Sequence, residues 1–186
     1  MNPYKKITAS ITPKEFELLC VKLLEEAMKN DNCEITHNVT IEKPDGDYQI
    51  DIVMERQDQF GLKYKTLVEC KREKSPIERT VAQILFDKLR ACGAHKGVIM
   101  SASGFQSRTI KYAKTHGIAL IQIVETHILS IVNLNTEQKY KPRLVTNVKQ
   151  PKYTPLMYDT ETEFPLYKLS GAGIKVLADY FREVAP

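Results

Sequence analysis

The chain has 186 residues, 42% of them apolar and 27% charged, with a formal charge of +4. That length holds one domain, or one domain and an appendage, around a sizeable core, and no run approaches the ~20 apolar residues of a membrane span. The modest positive charge permits a polyanionic partner without requiring one. Cys20, Cys33, Cys70 and Cys92 show no paired metal spacing, and the four histidines are scattered singly, which argues against a zinc site. The opening Met1-Asn2-Pro3-Tyr4-Lys5-Lys6 has no apolar signal segment, so a cytoplasmic protein with reduced thiols is expected.

Thr12-Pro13-Lys14-Glu15 predicts a helix start, with Thr12 as cap, Pro13 in the first turn and Glu15 closing a capping box. Phe16, Leu19, Cys20, Leu23, Leu24 and Ala27 follow as an apolar stripe. Glu17 lies off the middle of that stripe and by pattern alone is an exposed helix carboxylate. Cys33–Ile41 alternates apolar and polar residues as an edge strand does, and Lys43–Asp47 reads as a turn in which Asp45 and Asp47 serve the backbone.

Tyr48–Met54 and Tyr64–Cys70 predict two strands joined by a turn through Asp58 and Gly61. Alternation puts Leu67, Glu69 and Lys71 on one face of the second strand. On the first, Asp51 shares a face with Gln49 and Val53, and Ile50, Ile52 and Met54 share the other. Paired as a hairpin, the strands bring Asp51 to Glu69 and Lys71. Two carboxylates and an ammonium suit a hard divalent cation and phosphodiester cleavage; the same pattern also suits the charged solvent face of an ordinary hairpin. A second Glu-x-Lys, Glu137 to Lys139, ends no apolar strand and has no acid before it.

Ser75-Pro76 opens a helix from about Ile77 to Cys92, stopped by Gly93. Val81, Ile84, Leu85, Lys88, Leu89 and Cys92 form its stripe, with the Lys88 stem covering apolar surface, and Gln83 falls just off it as a solvated polar residue. Gly97–Met100 reads as a buried strand, Gly104–Thr115 as a helix ended by Gly117, and Ile118–Val124 as a strand covered on both faces. A short helix is expected over Glu125–Leu134. The order predicts an α/β fold with a mixed central sheet flanked by helices.

From Glu137 the composition turns basic, with Lys139, Lys141, Arg143, Lys149 and Lys152 interleaved with Tyr140 and Tyr153. Such a stretch binds nucleic acid through phosphates and stacking, or is simply a solvated linker. Val145–Val148 reads as a strand, Asp159, Glu161 and Glu163 as an acidic patch, and a last helix from Ser170 carries Ile174, Leu177, Ala178 and Phe181 on one side. The expected division is a core over 1–136 and a basic linker with a C-terminal helical appendage over 137–186.

Asp51 followed by Glu69-Cys70-Lys71 on a hairpin after an N-terminal helix resembles the PD-(D/E)xK nuclease superfamily, and within it the Mrr-type restriction endonuclease domain. The resemblance covers roughly Thr12 to Leu134. It includes Phe16-Glu17, Gln83 on the following helix, the run Gly93–Ser101, Phe105 and Ala113. Where the family often has small residues before the catalytic Asp, this chain has Tyr48-Gln49. The resemblance implies a restriction-endonuclease-like core that cleaves DNA with Mg²⁺, Mn²⁺ substituting, in restriction or defence. Asp51, Glu69 and the Cys70 carbonyl would hold the metal, Lys71 would position water, Glu17 would assist and Gln83 would orient the phosphate. The stripe of the last helix calls for cover by the core, a second subunit or another domain, so a homodimer or a regulatory subunit is among the expected partners. The alternatives are a Holliday-junction-resolvase-like nuclease and an idle module that binds nucleic acid or a partner.

Overall fold

A computed structural model describes residues 10–125, 152–158 and 173–183. Helix α1 (Pro13–Met28) opens on a complete capping box: the Thr12 hydroxyl accepts the Glu15 amide at 3.2 Å and the Glu15 carboxylate accepts the Thr12 amide at 2.6 Å. Its stripe buries Phe16, Cys20, Leu23, Leu24, Ala27 and Met28.

Three antiparallel strands follow: β1 (Cys33–Lys43), β2 (Gly46–Gln57) and β3 (Lys63–Lys71). The β2–β3 turn is built by Asp58, whose carboxylate accepts the Phe60 and Leu62 amides at 2.9 Å each. Helix α2 (Arg79–Cys92) crosses to β4 (Lys96–Ser101), and α3 (Ser107–Thr115) crosses to β5 (Ile118–Glu125). Both crossovers give parallel pairs, β3 with β4 and β4 with β5. Gly93, at φ 62°, ends α2 in the left-handed conformation that glycine adopts without strain.

The sheet runs β1-β2-β3-β4-β5-β6, with β6 (Tyr153–Met157) antiparallel on β5 and α4 (Gly173–Glu183) packed against α1. The Arg182 guanidinium grips Asp31 past the end of α1, at 2.8 and 3.1 Å. This is the expected mixed sheet flanked by helices. One face carries α1 and α4 over Ile52, Val68, Met100 and Ile121, and the other carries α2 over Leu67, Ile99 and Leu120. Every position of β5 is buried, as the unbroken apolar run predicts. Among the described residues no helix is long and apolar enough to cross a membrane.

Two local readings differ from expectation. Ile50 joins the α2 side of the core while Ile52 and Met54 join the α1 side, so β2 changes phase at Asp51. On α2 the buried stripe is Ala82, Leu85, Leu89 and Cys92, and Ile84 is 52% exposed. The short helix expected after Glu125, Val145–Val148, the acidic patch Asp159, Glu161 and Glu163, and Ser170 lie outside the described residues; Glu125 itself ends β5.

Candidate active site

The ladder between β2 and β3 runs from Gln57 opposite Lys63 to Ile52 opposite Val68, and stops there. The next step would set Asp51 across from Glu69. Instead of a ladder bond, the Asp51 carboxylate accepts the Cys70 amide, N to Oδ2 2.7 Å. The β1–β2 pairing also skips this level: His37 faces Ile52 and Val39 faces Ile50, while Asn38 between them has φ 59°. The sheet thus opens at Asp51, which turns its carboxylate toward the end of β3.

Glu69 closes the other side. Its side chain is only 10% exposed, with Lys71 Nζ 2.7 Å from Oε1 and Lys88 Nζ 3.0 Å from Oε2. Lys88 also donates to the Gln49 carbonyl at 2.8 Å, so this α2 residue bridges β2 and β3 where their ladder has ended. Lys71 belongs to β3 by its backbone: its carbonyl accepts the Ala102 amide at 3.0 Å.

The two carboxylates sit in opposed fields. Burial lifts the Asp51 carboxyl above its ordinary range, against the Cys70 amide, and the charges of Glu69 and Glu17 lift it further. Burial works the same way on Glu69, but Lys71 and Lys88 overcome it and hold that carboxyl below its ordinary range. Lys71 is the reciprocal case: burial weakens its charge, Glu69 outweighs burial, and its ammonium is held above the ordinary lysine range. Cys70 points to the opposite face, its thiol beside Cys20 and pushed well up by that contact and by burial.

Of the sequence-predicted residues, the structure brings Asp51, Glu69, Cys70 and Lys71 to one strand end. Glu17 comes from α1 and pairs with His37 of β1, Oε2 to Nε2 3.0 Å, near enough to Asp51 for its charge to be felt. Gln83 is exposed on α2, and it is Lys88 of that helix that reaches Glu69. Lys139, Lys141, Arg143 and Lys149 lie outside the described residues; Lys152 is exposed, its Nζ 4.9 Å from the centroid of the Tyr153 ring. Lys88 and His37 were missed as site residues. For His37 a signal existed, since alternation along β1 sets it in step with Ile35, and opposite Ile52 it shares the α1 side of the sheet, while Val39 and Ile41 beyond Asn38 turn to the α2 side.

Among the described residues no three Asp, Glu, His or Cys side chains form a ready metal cage. The donor set still fits Mg²⁺, which takes one or two carboxylates and completes its shell with water and substrate phosphate. The charge repulsion felt by Asp51 is the kind that a bound cation relieves.

A family model described as restriction endonuclease, Mrr_cat, matches residues 8–127. No curated protein sequence matches the chain. Among solved structures it is similar to AF1548, a protein of unknown function, at 24% identity and TM-score 0.47, over 56% of this chain and 54% of that one. It is similar to the DNA modification-dependent restriction endonuclease AspBHI at 13% identity and TM-score 0.44, over 64% of this chain and 33% of that one. It is also similar to the MspJI restriction endonuclease, solved with a 27-mer oligonucleotide, at 15% identity and TM-score 0.45, over 64% of this chain and 28% of that one. The matched region spans about half of the first structure and a third or less of the other two.

Proposed function

The chain belongs to the Mrr-type restriction endonuclease family, and from that premise we propose that it is a Mg²⁺-dependent endodeoxyribonuclease acting in restriction or defence. The observation that carries the reading is the opened end of the β2–β3 ladder, where Asp51 and Glu69 stand side by side with Lys71 against Glu69.

Asp51 and Glu69, with the Cys70 carbonyl, would hold the ion, which supplies an activated water and charge neutralisation at the phosphate. Lys71 stands where an ammonium can orient that water or meet charge developing on the phosphate. Glu17, tied to His37, assists by fixing the charge around Asp51, and Gln83, on the exposed side of α2, orients the phosphate. The basic residues Lys139, Lys141, Arg143, Lys149 and Lys152 contact the DNA backbone. Lys88 positions Glu69 by bonding both its carboxylate and the Gln49 carbonyl.

The test is incubation with supercoiled plasmid in Mg²⁺, in Mn²⁺ and in chelator. Nicked and linear products with either metal, and none in chelator, are expected. Retained DNA binding with no cleavage in either metal would mark the domain as an idle binding module.

A further inference from the structure

We propose that the cavity between the sheet and α4, rimmed by Arg56, Tyr64, His95 and Lys96, is a binding site for a small organic oxyanion carrying one apolar ring. The cavity holds about 150 Å³. Its floor is apolar: Met28 from the end of α1, Met54 from β2 and Phe181 from α4. Strand register sets Met54, Thr66 and Lys96 in one row across three strands, and Arg56 opposite Tyr64 in the next row toward the hairpin turn.

This places the cavity apart from the carboxylate site. Glu69 and Lys71 lie several residues further along β3, on the order of 10–17 Å, and on the α2 side of the sheet.

Among the described residues the lining holds the two cations and no carboxylate; Asp58 stands just beyond it, accepting from the Tyr64 hydroxyl at 3.3 Å. Lys96 Nζ sits 3.6 Å from the centroid of the Tyr180 ring, and the Arg56 guanidinium lies 5.0 Å from the centroid of Tyr64. Neither cation has a carboxylate within ion-pair distance among the described residues. Burial alone pushes the Lys96 ammonium down to about 8, a penalty that a bound anion reverses. The Lys65 amide donates to His95 Nδ1 at 3.0 Å, so the neutral imidazole carries its proton on Nε2 and offers a donor.

Each part answers to one feature of a ligand. A guanidinium and an ammonium recognise a carboxylate or phosphate group. Phe181 and the Met28 and Met54 side chains supply apolar lining for a ring, and methionine sulfurs make favourable contacts with aromatic edges. A cavity of this volume accepts a body of about benzene size.

The experiment titrates the full chain by calorimetry with benzoate and phenyl phosphate, each carrying both parts. Inorganic phosphate and benzyl alcohol serve as half-probes. A methionine-methyl NMR spectrum locates the binding. The two-part probes should bind at least about tenfold more tightly than either half-probe and shift the Met28 and Met54 signals. Whichever is tighter identifies a carboxylate or a phosphate as the preferred group. Lys96→Met and Arg56→Met should each weaken binding by roughly tenfold, the effect of one charged hydrogen bond. Glu55→Gln, on the same strand and paired with Lys65, should leave it unchanged. Either cation variant, folded by its melting curve and binding as tightly as the parent, overturns the proposal, as does binding that leaves both methionine signals in place.

Discussion

Lys88 Nζ stands 3.0 Å from Glu69 Oε2 and 2.8 Å from the Gln49 carbonyl, spanning the place where β2 and β3 separate. Its side chain is 17% exposed and that of Glu69 10%, so loss of one partner leaves the other largely out of water with a single contact, Glu69 with Lys71 or Lys88 with the Gln49 carbonyl. Lys88→Met should lower stability by about 1–3 kcal/mol, and in a double-mutant cycle with Glu69→Gln the losses should fall short of adding. Denaturant unfolding of the parent, both single variants and the double variant measures the coupling. Additive losses would show that the two groups do not support each other.

Asp51 carries the opposite tension. Its carboxyl is raised by burial, then by Glu69 and Glu17 against the Cys70 amide. A carboxyl raised on folding ionises first in the unfolded chain, so stability is lost as pH climbs from the unfolded value through the folded one. Asp51→Asn keeps an acceptor for the Cys70 amide and removes the charge. In chelator it should melt higher than the parent at neutral pH, and the gain should vanish below about pH 4. Mg²⁺ above its dissociation constant should raise the parent's melting temperature and the variant's much less. An Asp51→Asn protein that melts lower in chelator and gains equally from Mg²⁺ would remove Asp51 as a ligand.

Glu69 behaves in the reverse sense. Burial disfavours its charge, but Lys71 and Lys88 outweigh burial and lower its carboxyl. Its contribution is therefore present above the unfolded value and lost as pH falls through the lowered folded one. Glu69→Gln should be less stable than the parent at neutral pH, with the gap closing in acid. Melting curves across the acid range check the sign, and a gap that widens toward low pH contradicts it.

The hairpin was legible in the sequence because the turn at Asp58 and the two-residue alternation together fix its register, which sets Asp51 level with Glu69. The phase change in β2 was not, because it depends on the Asn38 backbone at φ 59° on the neighbouring strand. The face of α2 was blurred for a different reason. Ala82 marks its true buried stripe with little hydrophobicity, while Ile84, with a strong apolar signal, stands outside. Counting Ile84 into the stripe hid the fact that Lys88 turns its ammonium to Glu69. Partners between distant elements, such as Glu17 with His37, leave no trace in local periodicity.

Glu17 joins α1 to β1 through His37 at 3.0 Å and adds negative charge near Asp51. If it supports the ion's site without holding the ion directly, Glu17→Gln should raise the Mg²⁺ concentration for half-maximal cleavage by about tenfold. The rate at saturating Mg²⁺ should change less. A metal titration of plasmid cleavage reads both quantities, and an unchanged midpoint with an unchanged rate would leave Glu17 a structural partner of His37 alone.

The most direct measurement is the rate of supercoiled-plasmid cleavage by Lys71→Ala in saturating Mg²⁺, beside the parent. Lys71 Nζ lies 2.7 Å from Glu69 and its side chain is 30% exposed, so the variant should fold while the reacting site loses its ammonium. Cleavage slower by on the order of 10²-fold or more is predicted, with DNA binding retained. A folded Lys71→Ala protein that cuts at the parent's rate would contradict the assignment of the Asp51, Glu69 and Lys71 cluster as the active site.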